Sequence, residues 1–169
     1  MTRQQNVLDR LTRRIEASPW LEGAFVIGSL AQGEGDELSD VDVFVVVAEG
    51  RFEEAWAARA DLEGGEAIFG WDQLEPGRAD VGARKWLTRD IVLVECLLTT
   101  PSSGAKLAGS YRLLTGPSDL ARRLPQSHPI PRRELEEYAQ AQREAGRTHA
   151  IQTAYDGLTR AVRAARRSQ

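Results

Sequence analysis

The strongest constraint on how this chain folds is an apolar run that begins with two acids. In Ser39-Asp40-Val41-Asp42-Val43-Phe44-Val45-Val46-Val47 the second half is as apolar and β-branched as a strand interior, yet carboxylates stand at its mouth one residue apart. Side chains at i and i+2 of a strand share a face, about 6.6 Å apart at about 3.3 Å per residue. Asp40 and Asp42 can therefore grip a shared cation pair. Carboxylates beside so apolar a segment are costly unless they are solvated, paired or bound to metal. An earlier apolar segment, Ala24-Phe-Val-Ile27, closes on Gly28-Ser29, and residues 30–39 separate that pair from Asp40.

The size and composition narrow what such a motif can serve. A chain of 169 residues is one domain, or one with a small appendage, and is long enough to bury a core. Its 41% hydrophobic and 28% charged residues are ordinary for a soluble globular protein, and no apolar run approaches the roughly 18 to 20 residues of a membrane span. The N-terminus, Met1 to Asn6, is polar and lacks a signal-peptide core, so the expected location is the cytoplasm. The single cysteine, Cys96, cannot form an internal disulfide and reads as a small core residue of a strand. A net charge of −3 provides no global attraction to nucleic acid. The basic stretch Arg160 to Arg167 fits a solvated helix end.

Along the chain, Val7, Leu8, Leu11 and Ile15 predict an amphipathic helix that stops near Ser18-Pro19. Strands follow at 24–27 and 41–47, with one helical turn and a loop between them. Phe52, Ala55, Trp56 and Arg59 have helical spacing as far as Gly64-Gly65, and a third extended segment begins at 67–69, before a loop over 72–80. Residues 81–87 and 91–98 predict a hairpin turning at Thr88-Arg89-Asp90, and 111–114 a short edge strand. Ser118 or Asp119 is placed to cap a short helix through Leu124. The expected organisation is an α/β (α+β) core over 1–124, with a small mixed sheet flanked by helices. A Pro-rich linker follows at 125–131, then a helical hairpin over 132–169 with an apolar stripe at Ile151, Tyr155, Leu158, Val162 and Ala165.

The strand, the Gly28-Ser29 pair, the loop length and Asp40-Val41-Asp42 entering a second apolar strand together resemble the polymerase-β-type nucleotidyltransferase superfamily. The resemblance is close over about 24–47 and looser to about 98. It implies transfer of a nucleoside monophosphate, AMP from ATP in the first instance, to a hydroxyl. Two Mg²⁺ ions held by Asp40, Asp42 and a third carboxylate would neutralise the triphosphate and align the reaction, chemistry that suits hard oxygen ligands. Gly28 lets the backbone approach phosphate, and Ser29 can donate its hydroxyl.

For the third carboxylate, Glu95 is preferred: it is the one charge in 91–98, and unpaired burial there would be expensive. Asp90, in the turn before it, is the competing candidate. The family more often has Asp at this position, and relatives often carry Arg near 31–33, where this chain has Gln32 followed by Glu34, Asp36 and Glu37. Phosphate charge must then be met elsewhere, with Arg84, Lys85 and Arg89 as candidates. His128 and His149 have no partner at metal or triad spacing. Trp20, Trp56, Trp71 and Trp86 read as packing residues, with Trp71 or Trp86 able to stack on a base.

Two acceptor classes follow from the resemblance. Minimal enzymes of this size resemble the antitoxin halves of toxin–antitoxin pairs, which modify a tyrosine of a helical partner. The same core occurs in aminoglycoside and lincosamide nucleotidyltransferases, and the acids Glu34, Asp36, Glu37, Asp72 and Glu75 suit a cationic drug. The remaining alternative is a nucleotide-binding or protein-binding module without catalysis.

Overall fold

The computed structural model describes residues 2–36, 39–74, 77–107 and 109–127. Helix α1, Arg3–Ala17, starts where the Thr2 hydroxyl accepts a hydrogen bond from the Gln5 amide, and it buries Val7, Leu8, Leu11 and Ile15 on one face. Strand β1 is Leu21–Ile27, α2 is Gly28–Gln32, β2 is Val41–Val47 and α3 is Phe52–Ala57, the last followed by a 3₁₀ turn at Arg59–Glu63. Strands β3 (Ala67–Leu74), β4 (Val81–Thr88), β5 (Leu93–Thr99) and β6 (Tyr111–Thr115) complete one mixed sheet among the described residues, in the order β3-β4-β5-β2-β1-β6.

β2 and β5 are parallel neighbours, while the other pairs are antiparallel. β2 is therefore central, which is why its run is almost wholly apolar. Its alternate residues divide the core. Val41, Val43, Val45 and Val47 join Leu11 and Ile15 of α1, Ala55 of α3 and Trp86 of β4 in one cluster. Phe44 and Val46 look the other way, toward Phe25, Leu107, Leu120 and Leu124. Leu11 is fully buried in the helix-side cluster, and truncating such a side chain costs about 2–5 kcal/mol.

Three expectations need correction. β3 runs to Leu74, through the first residues of the loop expected over 72–80, because its backbone pairs with β4 as far as Leu74↔Gly82 and Phe69 stacks on Trp71 at 5.3 Å. The segment capped at Asp119 is a 3₁₀ turn, Leu120–Arg123, without a side-chain cap. The start of the expected linker is tied to the body: the Leu107 amide donates to the Pro125 carbonyl at 2.8 Å, and the Ser127 amide donates to the Leu107 carbonyl at 3.0 Å. The remainder of the linker, His128, His149 and the helical hairpin over 132–169 lie outside the described residues.

Candidate active site

The chain leaves β1 through Gly28, whose φ of +70° is a conformation that glycine adopts without steric cost. A Cβ there would stand 2.9 Å from Asp42 Oδ2, so a side chain at this position would strain the backbone and push the Asp42 carboxylate aside. Ser29 follows on the exposed surface of the short helix α2. The loop back to β2 is held from α1. Gln4, buried on the otherwise apolar face of that helix, donates through Nε2 to the carbonyls of Asp36 (3.0 Å) and Ser39 (3.3 Å). Ser39 closes a local turn, its hydroxyl accepting from the Asp36 amide and donating to the Asp36 carboxylate. Asp40 is the next residue, so its position rests on a glutamine that sequence reasoning passed over. A polar residue interrupting an apolar helix face was the available signal.

Parallel pairing of β2 with β5 sets Asp42 directly opposite Glu95, and antiparallel pairing of β5 with β4 sets Glu95 opposite Lys85. Facing residues of neighbouring strands share a face, so Asp42, Glu95 and Lys85 form a row across three strands. The Lys85 ammonium lies 2.7 Å from Glu95 Oε2. Burial pushes the Asp42 carboxyl up to about 6, with the Glu95 and then the Asp40 charges adding to the rise and Lys85 opposing it. Asp40 is raised as well, first by burial and then by Glu95. Negative charge is thus crowded here, with Lys85 opposing it only in part.

A model of the nucleotidyltransferase domain matches residues 8–95, just over half of the chain and a span that holds Gly28, Ser29, Asp40, Asp42 and Glu95. The chain belongs to the nucleotidyltransferase domain family. The mixed sheet with helices packed on it agrees with the polymerase-β-type resemblance. Among curated proteins, none matches the sequence.

Within this nucleotidyltransferase domain the two candidates for the third carboxylate part company. Asp90 lies in the hairpin turn, more than half exposed, with Arg10 at 3.5 Å. Glu95 is the acid that pairing places against Asp42. The phosphate candidates separate by strand parity. Arg84 points to the helix side, where Glu63 and Asp72 hold it, and Arg89 sits in the exposed turn. Lys85 is the one of the three beside the carboxylates. Trp86 is 1% exposed in the helix-side core, so it cannot stack on a base, whereas Trp71, opposite Lys85 in register, lies on the carboxylate face. Cys96 is a buried core thiol, its pKa raised first by burial and then by the Glu95 and Asp42 charges.

Asp40, Asp42 and Glu95 supply hard oxygen donors and an excess of negative charge, the chemistry that suits Mg²⁺. Among the described residues, no three such groups are drawn together tightly enough to hold a metal as they stand. A cavity of about 250 Å³ lined by Arg14, Pro19, Trp20, Leu62 and Leu98 lies elsewhere. Leu21 begins β1, with Trp20 just before it, and Leu98 is near the end of β5, opposite to the ends that carry Gly28 and Glu95. Among the described residues, no helix is long and apolar enough to cross a membrane.

Proposed function

We propose that the domain is a Mg²⁺-dependent enzyme that moves a nucleoside monophosphate, AMP from ATP in the first instance, to a hydroxyl acceptor on a protein partner. The observation that carries this reading is the register: Asp42 opposite Glu95 on neighbouring parallel strands, with Gly28 against Asp42. Asp40, Asp42 and Glu95 would hold the metal, with Gly28 and Ser29 beside the triphosphate. The ions would neutralise phosphate charge and favour departure of pyrophosphate. The acceptor oxygen bonds to the α-phosphorus as the bond to pyrophosphate breaks, and Glu95 would receive the hydroxyl proton.

A protein acceptor is favoured over a cationic drug because the acids counted toward a drug site are partly committed elsewhere. Asp72 is bound by Arg59 and Arg84 on the helix side, and Asp36 is bound within its own loop. The test is incubation with ATP labelled at the α- or the γ-phosphate, with Mg²⁺ and either hydroxyl-bearing drugs or proteins from the source cell. Transfer of the α-label alone to a protein, lost in the D40N/D42N variant, supports the reading. Transfer of the γ-label would mean phosphoryl chemistry and overturn it, and α-label on a drug would replace the acceptor class.

A further inference from the structure

Resting on the assignment of Asp40, Asp42 and Glu95 to the metal, we propose that Lys85 is a built-in counter-ion. It occupies Glu95 until a nucleotide arrives, then moves onto the phosphates, so that metal and triphosphate enter together.

Three features of the structure support the exchange. Lys85 stands directly opposite Glu95, with Nζ 2.7 Å from Oε2, and Glu95 in turn stands opposite Asp42. Strands are about 4.8 Å apart, so a swing of the lysine stem toward β2 brings its ammonium over the place where phosphates would meet Asp42. The loop after Gly28-Ser29 carries Gln32, Glu34 and Asp36 and no base, so this lysine fills a role that the loop leaves open.

The neighbouring cation shows why this one is free to move. Arg84 is pinned by two acids, and its planar fork makes each contact directional. Among the described residues Lys85 has one acid within ion-pair distance, and it has a flexible stem and three rotatable donors, properties suited to a phosphate contact. Glu95 is 38% exposed on its side-chain surface. A partly solvated pair of this kind is worth only a few-fold in an equilibrium, weak enough for phosphates to compete.

The test compares the natural protein with K85M, K85Q and K85R in two titrations by calorimetry. One uses Mn²⁺ without nucleotide, and the other uses ATP in the presence of a chelator. Replacing Lys85 by Met or Gln is expected to tighten Mn²⁺ binding about fivefold and to weaken metal-free ATP binding by a similar factor. K85R keeps the charge and should retain ATP binding, and thermal melting reports folding of each variant. Unchanged affinities in both neutral variants, or weaker Mn²⁺ binding, would make Lys85 a static partner of Glu95 and overturn the proposal. A D40N/D42N variant separates the two levels. Mn²⁺ binding lost there while K85M behaves like the natural protein overturns the exchange alone, whereas Mn²⁺ binding retained there overturns the metal site itself.

Discussion

Arg84 and Lys85 are consecutive residues of β4 that look into two charge clusters built on opposite rules. On the helix side, Arg84 meets Glu63 and Asp72, Asp72 also meets Arg59 at 2.7 Å, and Arg59 lies over the Trp56 ring. Acids and bases balance there. The hydrogen bond from Arg59, more than any other cause, holds the Asp72 carboxyl below its ordinary range. On the far side, three acids face one lysine, and burial with mutual repulsion pushes Asp40 and Asp42 upward. A folded chain keeps an unbalanced cluster only where surrounding packing enforces it, and here Val41 and Val43 to Val47 are buried around Asp42. The balanced cluster ties strands to the 3₁₀ turn; the unbalanced one is the cluster proposed above to take the metal and nucleotide.

That contrast can be broken at either end. The largest expected effect is Asp42→Asn, which should cut nucleotidyl transfer about 10³-fold, measured by pyrophosphate release, because one of the carboxylates proposed to hold the metal is gone. The metal-free protein should melt no lower than the natural one, since a repelling charge has been removed. Arg84→Met should do the reverse. It leaves Glu63, 13% exposed on its side chain, without its arginine, and should lower unfolding free energy by about 2–3 kcal/mol in denaturant titrations while sparing transfer by the folded fraction.

Gly28→Ala joins the two ends, because it strains a left-handed backbone and presses a methyl on Asp42. It should cost about 1–2 kcal/mol of stability and reduce transfer together. The smallest effect is Asp72→Asn, at about 0.5–1 kcal/mol near neutral pH. Asp72 has a lowered folded pKa, so its stabilisation is present above the unfolded value of 3.8 and is lost as pH falls through the folded one. The difference between variant and natural protein should therefore vanish in acid, as melting curves across that range would show.

How much of this was legible in the sequence depends on whether the signal was local. β2 was readable to its ends because acids stop its apolar run on one side and Glu49-Gly50 stops it on the other. α1 was readable from its spaced apolar residues, and β6 from its place between loops. The far half of β3 was not, since Asp72 and Gln73 have loop composition and become strand only through pairing with β4. The candidate site divides in the same way. Gly28, Ser29, Asp40 and Asp42 sit in one motif. Glu95 was already preferred over Asp90 as the lone charge of an apolar strand, but its place opposite Asp42, and the separation of Lys85 from Arg84, depend on strand register and parity, which a single sequence leaves open. Gln4 escaped because its partners are backbone carbonyls more than thirty residues away.

The most direct test of the central claim is ATP binding by calorimetry with and without Mg²⁺, in the natural protein and in D40N/D42N. The account predicts binding that Mg²⁺ tightens strongly, a gain that is lost in a variant that still melts cooperatively at the natural temperature or above. Equal ATP binding by both proteins, indifferent to Mg²⁺, would contradict it, because the crowded carboxylates would then have no part in holding the nucleotide.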